Sequence, residues 1–197
     1  VRVFVGTERG LDEFTRQVKK FNNINTPEDE AHIVEVRLPW NLVIQDTVTA
    51  LLYESRTEKL WVGTPKGLFR FDGKGWKTFD SEFGKKHITA LTNQGATLWI
   101  GTDNGLFSYR NGAFEQKGKV LPSQYIESLV WSEMRKELFA SVRNAGIARL
   151  VPKTGSNDKD RWSLFTEEDG IIDLYPKALA IDSSGHVWAA HKEGLSH

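Results

Sequence analysis

The sequence of 197 residues contains no cysteine. This absence excludes disulfides, thiolate catalysis and metal sites built on cysteine, although it does not fix the cellular compartment. Lysine plus arginine and aspartate plus glutamate both number 26, so the sequence carries no formal net charge. We therefore expect no nucleic-acid partner, because binding to phosphates needs clustered positive charge.

The sequence also lacks any long hydrophobic run. No apolar segment approaches the roughly 18 residues that a membrane-spanning helix needs, so we expect no membrane insertion within this chain. The chain begins at Val1, in the middle of a strand pattern and without a signal peptide. We interpret it as a fragment or a processed piece.

What the sequence has in abundance is one motif in several imperfect copies. The clearest copy is Leu98–Tyr109, and the closest match to it is Leu60–Phe69. Another copy is Val3–Leu11, and two weaker copies are Leu138–Ile147 and Val187–Leu195. The copies recur about every forty residues after a longer first interval, and such a period is typical of stacked supersecondary units.

Each unit is predicted to contain four short antiparallel strands. The motif supplies two strands joined by a glycine turn, and a third strand follows a second turn, as in Ala113–Gln116. A fourth strand precedes the motif, and its third position is always small: Ala50, Ala90, Ser128 and Ala178. A small residue at the same place in every unit indicates the crowded innermost strand of a β-propeller blade.

The predicted fold is therefore an all-β propeller of four-stranded antiparallel blades, with about four and a half blades in this chain. We treat 1–197 as a single propeller domain or fragment. Missing sequence or another chain is expected to complete the propeller. An insertion at 17–47 is interpreted as a surface loop rather than a ligand-contacting loop. The predicted blades span about 1–46, 47–81, 86–117, 124–167 and, in part, 176–197.

No motif in the sequence predicts catalysis, a cofactor or a metal site. His186 and His191 are an odd number of residues apart, which places them on opposite faces of a strand. The segment from Gly67 to Lys74 lacks the spacing of a phosphate loop and is better explained as a hairpin turn. Asp182–Gly185 is a turn without the other ligands of a calcium loop. We therefore predict that the chain is not an enzyme.

The motif copies Leu60–Leu68 and Leu98–Leu106, with Val120–Ser123 before Tyr125–Leu129, resemble the two-component-regulator propeller repeat. The resemblance covers nearly the whole chain and is weakest in the fourth blade, where Ser141-Val142 replaces Gly-Thr. It implies a ligand-sensing region of a bacterial hybrid histidine kinase. Propellers of this family typically lie outside the cytoplasmic membrane, and many respond to glycans.

The function expected from this resemblance is recognition without catalysis. We predict a periplasmic or extracytoplasmic sensor module whose partner is a glycan, another small ligand or a protein. An alternative is an assembly subunit whose propeller mediates protein–protein contacts. A propeller lyase or glycosidase is a third possibility, and a pair of acids at the channel would favour it.

Binding is predicted on the rim where the turns between second and third strands meet the links between blades. Loops that a rigid scaffold presents are the usual sites of recognition, although surface drift would also make them differ from blade to blade. Aromatic residues are favoured because they offer a flat apolar face with a polar tip. The candidate residues are Trp40, Lys66, Asn104, Tyr125, Arg143, Asn144, Tyr175 and Lys192.

The repeat predicts that Phe4, Trp61, Trp99, Phe139 and Trp188 occupy equivalent buried positions between blades. Truncating Trp99 to Ala should lower the free energy of unfolding by about 3–5 kcal/mol, as other large aromatic core deletions do. The urea midpoint of Trp99→Ala measures this loss. An unchanged midpoint would contradict the repeat alignment.

Overall fold

The computed structural model describes residues 2–17, 34–36, 44, 46–81, 83–153, 155 and 159–197. Strands dominate the described residues, which hold one short 3₁₀ helix, Glu167–Asp169, and no helix long and apolar enough to cross a membrane. The chain divides into two compact units, Val1–Val48 and Thr49–His197.

The first unit contains one three-stranded antiparallel sheet, which we name blade one. Its strands are β1 (Arg2–Thr7), β2 (Gly10–Gln17) and β3 (Val34–Val36), in that order across the sheet. β3 pairs with β2 on the side away from β1, which is where an outer strand belongs. Most of the predicted insertion at 17–47 lies outside the described residues.

The second unit contains four antiparallel sheets, and each is a simple meander in chain order. This arrangement confirms the predicted all-β propeller of four-stranded blades. Blade two is β4 (Ala50–Glu54), β5 (Lys59–Thr64), β6 (Gly67–Phe71) and β7 (Trp76–Thr78). Blade three is β8 (Ile88–Gln94), β9 (Thr97–Thr102), β10 (Gly105–Arg110) and β11 (Ala113–Lys117).

Blades four and five follow the same plan. Blade four is β12 (Ile126–Ser132), β13 (Glu137–Val142), β14 (Gly146–Val151) and β15 (Arg161–Phe165). Blade five has three described strands, β16 (Ala178–Ile181), β17 (Val187–Ala190) and the two-residue β18 (Leu195–Ser196). The inner and second strands of blade five match the prediction, and β18 adds a short third strand.

The core of the second unit lies between successive blades. Trp61 shares a buried cluster with Leu98 of blade three, and Trp99 shares one with Leu138 of blade four. Phe139 packs in the same way on blade five against Leu179. These three aromatic residues are buried, as the repeat predicts, because each fills the space between two sheets.

The two terminal members of the aromatic series are only half-buried. Phe4 occupies β1 of the first unit, and Trp188 occupies β17 of blade five. The indole Nε1 of Trp188 donates to the Asp182 carboxylate at 3.0 Å, which holds one edge of this side chain near the surface. The prediction that all five are enclosed is therefore wrong for these two positions.

A glycine in the second strand accounts for the close approach of neighbouring blades. A Cβ added to Gly63 would lie 2.5 Å from Cγ2 of Ile88, in the first position of the next blade. A Cβ added to Gly101 would lie 2.8 Å from Cγ2 of Ile126. The small residue at position 90 is explained by the same crowding. A Cβ added to Gly101 would also lie only 3.3 Å from the Cβ of Ala90.

The junction between blades four and five replaces this apolar contact with polar ones. Ser141 stands where the earlier blades have glycine, and its Oγ donates to the main-chain oxygen of Pro176. The main-chain N–H of Leu179 donates to Ser128 Oγ at 3.1 Å. The departure from Gly-Thr in the fourth motif copy is therefore a change in how two blades are joined.

Substituting Gly101 with alanine tests the close contact between blades three and four. We expect a loss of about 1–3 kcal/mol in the free energy of unfolding, the cost of overpacking a filled core. Gly75→Ala is the matched control, because a Cβ at Gly75 would meet open space and its backbone is not in the left-handed region. Equal urea midpoints for the two variants would contradict the contact.

Candidate functional site

Threonine side chains fix the turns that lead from the second to the third strand. Thr64 Oγ1 donates to Gly67 O at 3.3 Å and accepts from the N–H of Lys66 at 3.1 Å. Thr102 makes the same pair of bonds, to Gly105 O at 2.8 Å and from Asn104 N–H at 3.1 Å. The turns of blades two and three therefore share one shape, and both present an exposed side chain, Lys66 or Asn104.

The links between blades lie directly beside these turns. The N–H of Gly105 donates to Gln124 O at 2.7 Å, which joins the blade-three turn to the link that follows. The N–H of Arg143 donates to Tyr125 O at 2.9 Å, and Lys177 N–H donates to Ala190 O at 2.8 Å. We name this edge of the second unit, made of turns and links, the upper rim.

At the inner end of the upper rim, threonine joins consecutive blades. Thr49 Oγ1 donates to Ile88 O at 2.5 Å, and Thr89 Oγ1 donates to Ile126 O at 2.5 Å. The equivalent residue of blade four is Glu127, and that of blade five is Lys177. The hydroxyl that joins the earlier blades is therefore replaced here by a pair of opposite charges.

Glu127 is the centre of a charge cluster with Arg143 and Lys177. Its Oε1 lies 2.6 Å from Arg143 Nε and 3.4 Å from Lys177 Nζ. The Glu127 side chain is 16% exposed, whereas Arg143 is 39% and Lys177 59% exposed. One mostly buried carboxylate thus orients two cations that face solvent.

The Arg143 side chain is also held by an aromatic ring. Its guanidinium carbon lies 3.4 Å from the centroid of the Tyr125 ring, which is a cation–π contact. The turn that carries Arg143 has three residues instead of two, and its middle residue, Asn144, has a φ of +61°. We attribute the reach of Arg143 back over Tyr125 to this longer turn.

The electrostatics of the cluster favour the charged forms of Glu127 and Arg143. Partial burial opposes ionisation of Glu127, but the hydrogen bond and charge of Arg143 and the charge of Lys177 outweigh it and lower the pKa of Glu127. The hydrogen bond to Glu127 raises the pKa of Arg143 further above its usual range. Glu127 and Arg143 are therefore both ionised at neutral pH.

A second polar chain ties the links of blade five together. His191 Nδ1 lies 2.9 Å from Asp173 Oδ1, and His191 Nε2 lies 2.7 Å from Ser196 Oγ. A carboxylate can only accept, so Nδ1 carries a proton and donates it to Asp173. The bonds from His191 and from the N–H of Tyr175 lower the pKa of Asp173.

This Ser–His–Asp order matches that of a hydrolytic triad, but the surroundings favour a structural role. Ser196 and the His191 ring are both buried. His191 stands where Thr64 and Thr102 hold the turns of the other blades, and its N–H also donates to Gly194 O at 2.8 Å. The chain of bonds therefore fixes the turn that presents Lys192.

Two further candidates from the sequence also belong to the upper rim. Tyr175 lies in the link to blade five, two residues before Lys177, and its side chain is 53% exposed. Lys192 is exposed in the turn between β17 and β18. The last candidate, Trp40, lies outside the described residues.

The structure brings Tyr125 and Arg143 into direct contact. Sequence reasoning missed Glu127 and Lys177. The repeat carries a signal that could have identified them. At the second position of the inner-strand segment, the first two copies have Thr49 and Thr89, whereas the next two have the charged residues Glu127 and Lys177. In the described ranges no three His, Asp or Glu side chains are grouped as metal ligands.

Comparison with known proteins places the chain by its fold. No family model matches it, and no curated protein matches it. The extracellular domains of two hybrid two-component systems from B. thetaiotaomicron match over nearly the whole chain. For BT4673 the identity is 17%, the TM-score 0.67 and the coverage 99% of this chain. For BT3049 the identity is 18%, the TM-score is 0.64 and the coverage is 96% of this chain.

The chain spans about a quarter of each of these two extracellular domains, 25% in both cases. A virginiamycin B lyase from Staphylococcus aureus also matches, with 13% identity, a TM-score of 0.58, and coverage of 80% of this chain and 57% of the lyase. Likeness at these identities shows the propeller fold alone. The resemblance expected from the repeat is confirmed at that level.

The lowered pKa of Glu127 predicts a pH-dependent contribution to stability. The pKa of Glu127 in the folded state lies below the ordinary value of 4.5. The stabilisation is therefore complete above about pH 4.5 and is lost as the pH falls through the pKa of the folded state. Glu127→Gln should cost about 0.5–1 kcal/mol at neutral pH, the range of partly exposed ion pairs.

Urea titrations at pH 7 and at pH 3 measure this difference. The gap between the urea midpoints of wild type and Glu127→Gln should narrow as the pH falls, because the wild-type carboxyl then gains a proton and loses its charge. Glu193→Gln, in an exposed turn, is the control and should match wild type at both values. A gap that stays constant with pH would argue against the ion pairs.

Proposed function

We propose that this chain is a non-catalytic recognition module, part of a bacterial signalling protein that acts outside the cytoplasmic membrane. In this proposal the upper rim of blades four and five binds a glycan, another small ligand or a protein partner. The neighbouring folds support the setting, because two of them are extracellular domains of hybrid two-component systems.

The observation that carries the proposal is the stacked pair of Arg143 and Tyr125. The guanidinium lies 3.4 Å from the ring centroid and is fixed by Glu127 at 2.6 Å, so its position is set before any ligand arrives. A side chain that is already ordered loses little conformational entropy on binding. Arginine and tyrosine are also among the residues that dominate binding energies at protein interfaces.

The second support is the place where the repeat changes. Blades two and three join their neighbours through Thr49 and Thr89, whose side-chain hydroxyls donate to main-chain oxygens of the next blade. The junction of blades four and five instead exposes charge, through Arg143 and Lys177. A propeller of near-identical blades acquires a distinct surface where one unit departs from the others.

An assembly role is the second candidate, and exposed apolar residues near blade five favour it. Ile172, Tyr175 and Leu195 are exposed, and Ile172 lies beside the residue that precedes Leu195, because a Cβ added to Gly194 would lie 3.1 Å from Ile172 Cδ1. Apolar groups that stay in water cost free energy and often mark protein contacts. A protein partner would cover them.

Single substitutions on the two rims test the proposal. The purified chain is screened on a glycan array and, at rising concentration, by light scattering for association. Tyr175→Ala and Arg143→Ala should weaken the binding that these screens detect by about tenfold or more, the effect of an interface hot spot.

Tyr53→Ala is the matched control for Tyr175→Ala. Tyr53 and Tyr175 are 54% and 53% exposed, but Tyr53 lies beside the β4–β5 hairpin, at the opposite end of the strands. The control should bind as wild type does. If Tyr53→Ala abolishes binding while the upper-rim variants retain it, the proposal has the wrong surface.

A further inference from the structure

We infer that the lower end of blade five, which carries the β16–β17 turn, binds a divalent transition-metal ion between the imidazole rings of His186 and His197. This inference goes beyond the recognition function proposed above and concerns the opposite end of the strands from the upper rim. The centroids of the two rings lie 6.4 Å apart, and the rings are nearly perpendicular, at 89°. Both side chains are exposed, so an ion has access to them from solvent.

The strand register of blade five places the two histidines on one face of the sheet. β17 and β18 pair Ala189 with Ser196, so the next residues along the two strands, Trp188 and His197, also face each other. Their rings stack, with centroids 4.8 Å apart. His186 comes two residues before Trp188 and therefore shares this face, as a diagonal neighbour of His197.

Blade four shows that side chains at these two positions of the repeat reach each other. Glu137 comes two residues before Phe139, and Arg149 lies opposite Phe139 on the next strand. The Glu137 carboxylate Oε1 lies 3.9 Å from Nη1 of Arg149, which is an ion pair. Blade five has histidines at the same two positions, so two imidazole rings replace the pair of opposite charges.

Asp182 orients the His186 ring for metal binding. Nδ1 of His186 lies 3.0 Å from Asp182 Oδ2, and Nδ1 carries a proton because a carboxylate can only accept. In the neutral ring the lone pair then belongs to Nε2, the nitrogen farther from the main chain. Histidines that bind metals usually donate their other N–H to a carboxylate in this way, which fixes the tautomer and the direction of the ring.

The Asp182 carboxylate is itself held in place by the turn. Its Oδ1 accepts from the main-chain N–H groups of Ser184 and His186, both at 2.9 Å, and its Oδ2 also accepts from Trp188 Nε1 at 3.0 Å. These bonds occupy both oxygens, so Asp182 supports the ring instead of binding the metal. The site therefore has two protein ligands, with water in the remaining coordination positions.

The two rings must approach each other to share one ion. A metal–nitrogen distance of about 2.1 Å places the centroids of two ligating imidazoles about 5 Å apart. The present separation of 6.4 Å is larger than this value. Exposed side chains change rotamer within nanoseconds, so the approach needs no change in the backbone.

A pair of imidazoles selects transition metals over hard cations. Imidazole nitrogen is a good ligand for Cu²⁺, Zn²⁺ and Ni²⁺, whereas Ca²⁺ and Mg²⁺ prefer oxygen ligands. Among these divalent ions, Cu²⁺ generally binds a given site most tightly. We therefore expect Cu²⁺ to bind here more tightly than Zn²⁺, and Ca²⁺ not to compete with either.

Calorimetric titration of the full chain with Cu²⁺, without a histidine tag, tests the site. His186→Gln and His197→Gln should each weaken binding by at least about tenfold, because the second ligand of a chelating pair acts at high effective concentration. His87→Gln is the matched control, since His87 lies in the link before β8, and His32→Gln covers the histidine outside the described residues. Both controls should bind as the wild type does.

Electron paramagnetic resonance of the bound Cu²⁺ provides an independent readout. The nitrogen hyperfine pattern should report two imidazole nitrogens in the wild type and one in each of the two site variants. The thermal midpoint of each variant shows whether it is folded. If a site variant does not fold, the wild-type spectrum alone decides between a pair and a single ligand.

Binding of Cu²⁺ that depends on both histidines and gives the two-nitrogen spectrum supports the inference. Equal affinity in the wild type and in folded His186→Gln and His197→Gln overturns it, as does a one-nitrogen spectrum in the wild type or competition from Ca²⁺ at equal concentration. The recognition function is tested separately, because Arg143→Ala and Tyr175→Ala on the upper rim should leave Cu²⁺ binding unchanged.

Discussion

The contact between an isoleucine and a glycine of the neighbouring blade is the constraint on which the second unit depends. Ile88 and Ile126 each fill a hollow that exists because Gly63 and Gly101 lack a Cβ. This close approach brings the inner strands near enough for Thr49 and Thr89 to bond across the junction. The buried aromatic residues Trp61 and Trp99 then fill the wider space further out.

The upper rim owes its chemistry to the one junction in which this contact is changed. Between blades four and five, Ser141 replaces the glycine and Pro176 replaces the isoleucine. The inner contact becomes a hydrogen bond, and the neighbouring threonine position becomes Glu127. The charge cluster and the modified junction therefore occur together, because Glu127 and Lys177 lie at the start of the two inner strands that meet there.

Much of the fold could be predicted from the sequence, since strand packing repeats and the repeat is visible as Leu60–Phe69 and Leu98–Tyr109. Less of the site could be predicted. Tyr125 and Arg143 are identified by their place on the rim, but their contact depends on the path of a three-residue turn with Asn144 at φ +61°. The pairing of Glu127 with Lys177 joins residues fifty positions apart, which no local pattern reveals.

The polar junction also gives the second unit an uneven response to temperature. Apolar burial weakens on cooling, because its driving force near room temperature is entropic, whereas a hydrogen bond does not share this dependence. The innermost contacts of Ile88 and Ile126 should therefore loosen first in the cold, while the bond from Ser141 to Pro176 persists. The earlier junctions would then depend more on the hydrogen bonds of Thr49 and Thr89, which cross the same inner seams.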